Sequence, residues 1–125
     1  MGVDRETIVQ KRMLYGSLFE NMIIVDIIKN NHAQELKKTL TFFRDSNQNE
    51  VDLIIESHNT LIAAEIKSTT TINTNFFDTP LWFKEQIKNH NIQCLPMVIY
   101  GGNENQKRSN GNICSWQNLE TLDVK

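Results

Sequence analysis

Apolar positions recur along this chain with two different periods, and the change from one to the other marks its elements. From residue 5 to about 30, Ile8, Leu14, Leu18, Met22, Val25 and Ile28 return at helical spacing without an intervening proline. That pattern predicts one long helix with this series as its apolar face. Beyond Met22 the segment is apolar nearly all round, so this end is expected to be covered on more than one side. Asn30, Asn31 and His32 end the helix, and a short loop or helical turn runs on to Lys37.

A period of two then takes over. Residues 39–44 (TLTFFR) are aromatic and β-branched, as a strand requires. Residues 45–49 form a polar hairpin turn, which Arg44 and Asp45 are expected to close. In residues 50–56 (EVDLIIE), alternation puts Val51, Leu53 and Ile55 on one face and Glu50, Asp52, Ile54 and Glu56 on the other. After a turn at Ser57, His58 and Asn59, residues 60–68 (TLIAAEIKS) place Ile62, Ala64 and Ile66 on one face, with Leu61, Ala63, Glu65 and Lys67 opposite.

A Thr/Asn-rich loop leads to a helix over residues 82–90, with Pro80 near its first turn. Residues 93–100 (QCLPMVIY) form a buried strand in which Pro96 should mark the start or an edge position. A polar, mobile loop over 103–112, a short strand near 112–116 and a helical turn over 117–122 complete the pattern. The order α-β-β-β-α-β-(β) predicts a mixed α/β domain, one central sheet flanked by helices. With 125 residues it is read as a single domain spanning 1–125.

Composition narrows the class. Thirteen Lys and Arg against fifteen Asp and Glu give a net charge of -2, which excludes a strongly basic nucleic-acid-coating protein and a disordered acidic tail. The cluster from Met22 to Ile28 is too short to span a bilayer and contains Asp26. Asp4, Arg5 and Glu6 stand where a secretory leader would turn apolar, so a soluble, cytoplasmic protein is expected. Cys94 and Cys114, twenty residues apart with no CxxC, are read as reduced thiols rather than zinc ligands. His32, His58 and His90 form no metal-binding pattern either.

The negative charge is concentrated. Residues 1–45 carry seven basic and six acidic side chains, and residues 69–125 carry five of each. Residues 46–68 hold Glu50, Asp52, Glu56 and Glu65 against Lys67 alone. Glu65 and Lys67, two apart on a strand, leave the same face. Hairpin pairing would bring Asp52 towards them, joining two carboxylates and one ammonium. Such a set suits Mg²⁺ or Mn²⁺, whose coordination is completed by water and phosphate, with the lysine steadying developing negative charge. A solvated face with a cross-strand ion pair is the plain alternative. The Leu, Ile and Ala content of the E-x-K strand argues for a central position, where an ionic pair is expensive to bury.

The run Glu50-Val51-Asp52 followed by Glu65-Ile66-Lys67-Ser68 resembles the core of the PD-(D/E)XK nuclease superfamily, with its restriction-endonuclease-like αβββαβ fold. Together with Gly16-Ser17-Leu18-Phe19-Glu20-Asn21, Phe42-Phe43-Arg44-Asp45 and Val98-Ile99-Tyr100-Gly101-Gly102, it is similar to the uncharacterised C-terminal domain that follows the ATPase module of many prokaryotic AAA+ type ATPases. That resemblance covers roughly residues 10–117. It implies Asp52 and Glu65 as metal ligands, Lys67 as catalytic lysine, Glu20 as a third acidic ligand from the first helix, and DNA as substrate. It also implies an ATPase module as partner, in cis or in trans, because this chain has no GxxxxGK[ST] loop of its own. Gln86 falls where some superfamily exonucleases carry a functional glutamine, although Gln86 to His90 departs from their Q-x-x-x-Y.

Lys84 beside Trp82 and Phe83, and the pair Lys107-Arg108, are candidates to track a phosphate backbone. Against that, Trp82 and Phe83 suit core anchors and Lys107-Arg108 suits a solvated loop tip. Two functions follow from different classes: a metal-dependent nuclease domain acting on DNA, or a non-catalytic module docking nucleic acid or protein for an ATPase. No membrane partner is expected, and self-association into a homo-oligomer is left open.

Overall fold

A computed structural model describes residues 5–122, with backbone alone for residues 5–9 and 121. Helix α1 (Arg5–Ala33) lies against one face of a six-stranded sheet, and α2 (Asp78–Gln86) against the other. The strands are β1 (Thr39–Arg44), β2 (Glu50–Ser57), β3 (Thr60–Lys67), β4 (Gln93–Tyr100), β5 (Gln106–Arg108) and β6 (Gly111–Ser115). Their order across the sheet is β1-β2-β3-β4-β6-β5. The first three pair antiparallel, β3-β4 and β4-β6 pair parallel, and β5 returns antiparallel to β6. The αβββαβ order and the mixed sheet expected from the sequence are what the chain forms.

The inward face of α1 is not the one expected. Phe19, Ile23 and Ile27 pack onto Leu53, Ile55, Ile62 and Ala64, while Leu14, Leu18, Met22, Val25 and Ile28 stand exposed on the opposite side. The helix carries two apolar stripes about half a turn apart, and the one built on Phe19, Ile23 and Ile27 takes the sheet. Its far end is covered on one side only. The side chain of Ile8 lies outside the described residues.

Strand β2 departs from simple alternation for a definite reason. Thr41 pairs with Ile54 but Phe43 pairs with Val51, so Asp52 and Leu53 together oppose Phe42. This is a β-bulge. It reverses the phase of the strand: Leu53 and Ile55 face α1, whereas Val51 joins Ile54, Leu61, Ala63 and Phe83 beneath α2. Alternation on β3 holds without interruption, with Ile62, Ala64 and Ile66 facing α1.

Helix α2 begins and ends four residues earlier than expected. A 3₁₀ turn, Thr74–Phe77, capped by the Asn73 side chain accepting the Asn75 N–H at 3.1 Å, feeds directly into it, and Pro80 sits in its first turn. Pro96 is interior to a central strand rather than at an end or edge. Its carbonyl points at Gly111. The N–H that proline lacks therefore faces the β6 side, where the ladder starts one residue later at Met97↔Asn112. The expected loop over 103–112 contains β5 and is pinned: the Asn105 side chain accepts the Ser115 N–H at 2.8 Å, and the buried Ser115 hydroxyl donates to the Gly102 carbonyl at 2.7 Å.

Among the described residues no helix is long and apolar enough to cross a membrane. Cys94 and Cys114 are both buried. Burial pushes the Cys94 thiol up to about 11, which leaves it protonated and a poor nucleophile.

Candidate functional site

Three sequence-selected residues come together where β2 and β3 part. Glu65 and Lys67 leave β3 on the α2 side, and Lys67 Nζ lies 3.2 Å from Glu65 Oε1. The Glu65 side chain is shielded, 14% exposed, while that of Lys67 is 41% exposed. On β2, the last ladder pair is Leu53↔Ala64, which would set Asp52 opposite Glu65 one step further. Asp52 instead turns into the gap between the strands, where its Oδ2 accepts the Ile66 N–H at 2.9 Å.

The electrostatics follow from that crowding. Burial, reinforced by the Asp52 charge and opposed by Lys67, pushes the Glu65 carboxyl up to about 7. Burial also raises Asp52 above the ordinary aspartate value, against the lowering effect of the Ile66 N–H. A hydrogen bond between the two carboxyl groups raises Glu65 and lowers Asp52. Both carboxyl groups are thus harder to ionise together than either would be alone.

Beside them opens a cleft of about 320 Å³ lined by Glu65, Lys67, Asn75, Phe76, Asp78 and Thr79. The last four come from the 3₁₀ turn and the start of α2, within a stretch whose pattern reads only as loop and approach to Pro80. No periodic or motif signal marks them. Lys67 Nζ stands 5.5 Å from the centre of the Phe76 ring, so the ammonium has an aromatic face as well as a carboxylate for a partner.

Glu20, half-buried on α1, lies within electrostatic reach of this group. Its carboxyl is raised by burial and by the charges of Asp52 and Glu50, with Lys67 opposing. Among the described residues, however, no three His, Cys, Asp or Glu side chains form a group that could hold a metal. The assembled oxygen donors are the Asp52–Glu65 pair.

The residues singled out for nucleic acid lie elsewhere. Gln86 is the last residue of α2, roughly 12 Å along the helix from Asp78 at the cleft, and is exposed, as is Lys84. Lys107 and Arg108 sit exposed on the short outer strand β5. Phe83 is buried and Trp82 half-buried, their rings 5.4 and 5.8 Å from that of Phe43, which makes both core anchors. Arg44 pairs with Glu50 at 3.0 Å and Asp45 accepts the N–H groups of Asn47 and Asn49, so both close the β1-β2 turn as expected.

Comparison with known proteins gives one match. Residues 15–119 match the family described as a domain of unknown function, DUF4143. No curated protein and no solved structure matches the chain.

Proposed function

The chain belongs to the DUF4143 family, a domain of unknown function, and we propose that this member is a metal-dependent phosphodiesterase acting on DNA, of the PD-(D/E)XK nuclease type. The observation that carries the reading is the Asp52–Glu65 pair: two crowded carboxyl groups, with Lys67 3.2 Å from Glu65 and both Glu65 and Lys67 lining an open cleft. Like-charged carboxylates opposed on a sheet are destabilising, and functional sites are where such arrangements gather.

The donor set fits Mg²⁺ or Mn²⁺. It offers hard carboxylate oxygens and no thiolate or imidazole, and a two-carboxylate set leaves positions for water and phosphate, as these ions prefer. When bound, such an ion polarises a phosphodiester and acidifies a bound water. Asp52 and Glu65 would be the residues to hold it, both in their charged form. The Ile66 N–H, donating to Asp52 Oδ2 at 2.9 Å, orients that carboxylate. Lys67, which lines the cleft, would present its ammonium to the non-bridging oxygens of a phosphate there and stabilise the charge that develops. DNA is the substrate class in this reading, a cytoplasmic AAA+ type ATPase module is the partner, and Glu20 approaches from α1 as a further acidic neighbour.

Calorimetric titration with Mn²⁺ tests the proposal, comparing the wild type with Asp52→Asn and Glu65→Gln, followed by cleavage assays on single- and double-stranded DNA. Binding by the wild type that is lost in both variants supports a shared site. Absence of binding in the wild type, with an oligonucleotide present, sinks the nuclease reading in favour of a non-catalytic docking module.

A further inference from the structure

An apolar surface on α1 has no part in the site described. Leu14, Leu18, Met22, Val25 and Ile28 run along the outer side of α1, each between 39% and 60% exposed. At 100° per residue all five fall within about a third of the helix circumference, directly opposite the Phe19-Ile23-Ile27 stripe that packs on the sheet. Together they leave roughly 450 Å² of apolar side chain open to water, about the size of the largest patch on a typical monomer, which is often a functional one.

We propose that this stripe is the interface of a two-fold homodimer, in which two copies of α1 pack antiparallel across Asn21. Three features of the stripe select a second copy as its occupant. Its area comes close to the apolar share of a standard interface, about two-thirds of 800 Å² per partner. Its layout is nearly symmetric about Asn21, with Leu14 and Ile28 seven residues to either side and Leu18 and Val25 three and four residues away. Such a layout is self-complementary, as a two-fold interface must be: Leu14 meets Ile28 of the other copy, Leu18 meets Val25, and the two Asn21 amides face each other and hydrogen-bond reciprocally. Finally, the stripe carries no charge between Leu14 and Ile28, so the two-fold operation brings no like charges together at its centre. At its margin the same arrangement sets Lys29 of one copy beside the exposed Tyr15 of the other, a cation against an aromatic face.

Glu20 lies on the side of α1 turned away from this seam, so dimerisation leaves both clefts open. The proposal is therefore independent of whether the cleft binds metal.

Sedimentation velocity over a concentration series tests it. The wild type is expected to sediment as a dimer at high concentration. Leu18→Glu and Val25→Glu are each expected to leave a monomer with an unchanged circular-dichroism spectrum, since both side chains already face water. Phe42→Glu is the control: Phe42 is 70% exposed on the edge strand β1 and outside the stripe. A wild type that stays monomeric throughout overturns the proposal, as does a dimer dissolved by Phe42→Glu but not by Leu18→Glu. Disulfide trapping fixes the orientation: Asn21→Cys is expected to cross-link two copies rapidly and Leu14→Cys not to. Efficient cross-linking of both overturns the antiparallel arrangement.

Discussion

Asp52 and Glu65 stand one step beyond the last ladder pair of β2 and β3, and the Asp52 carboxylate accepts the Ile66 N–H that lies next to the position opposite it. Backbone pairing ends where the two acids would have to face each other squarely. A side chain takes over the bonding role of the main chain at Ile66, and Glu65 is left lining the cleft. This crowding raises both carboxyl groups, and several expectations follow from it.

Stability should fall as pH rises through the acidic range. An unfolded glutamate titrates near 4.5, and the folded Glu65 near 7. Between those values the native state binds more protons than the unfolded state, so raising the pH favours unfolding. Asp52 is shifted in the same direction. The contribution is fully present below the unfolded value and lost above about 7. Melting temperatures measured in metal-free buffer from pH 5 to 8 should show the decline, and Glu65→Gln should flatten most of it.

Metal should reverse that slope. Because Glu65 must be ionised to hold Mn²⁺, affinity should climb as pH rises towards and past 7, with proton release measurable by calorimetry in buffers of different ionisation enthalpy. A saturating ion at 100 times its Kd should stabilise the fold by about 2.7 kcal/mol. Asp52→Asn should abolish this effect and also lower the Glu65 midpoint, by removing a neighbouring negative charge. Carboxyl-carbon NMR of Glu65 reads that midpoint directly.

Lys67→Met should separate binding from chemistry. The variant keeps both carboxylates and so should keep Mn²⁺ affinity within a few-fold, while cleavage falls about 10²-fold or more, as on removing one preorganised electrostatic group. Equal loss of binding and cleavage would instead make Lys67 a structural counter-ion. Phe76→Leu should have a milder effect: the ammonium-ring contact is worth about 0.5–1 kcal/mol, a few-fold in rate. It should also abolish the ring-current shift of the Lys67 ε-methylene protons.

Gly111→Ala should be severely destabilising. Gly111 adopts φ +152°, and an added Cβ would stand 2.5 Å from the Pro96 carbonyl oxygen and 2.8 Å from the Phe77 ring. Backbone strain and overpacking together predict a loss of about 2–4 kcal/mol, seen as an earlier denaturant midpoint at unchanged m-value.

The sheet was legible in the sequence because β3 alternates without interruption, so the shared face of Glu65 and Lys67 followed from their spacing alone. Asp52 was legible as a partner but not in its setting. A bulge has no periodic signature within its own strand, and only the pairing of Phe43 with Val51 exposes the extra residue. The face of α1 was misread because two apolar stripes share one helix, and periodicity cannot say which of them meets the sheet. Asn75, Phe76, Asp78 and Thr79 gave no signal, since a 3₁₀ turn running into a helix has no simple repeat. Pro96 misled because the usual objection to proline in a sheet concerns a missing donor, and here the neighbouring strand starts too late to need one.

The bulge at Asp52 and Leu53 also bears on how such a chain can change by inheritance. Deleting one codon there would give β1 and β2 a continuous ladder and let alternation run through the whole of β2. It would also turn Asp52 away from Glu65 and scatter the two carboxylates. A lineage under selection only to fold would gain from the deletion, so the extra residue is a marker to look for: descendants that lack it should be sturdier and should have lost the paired acids.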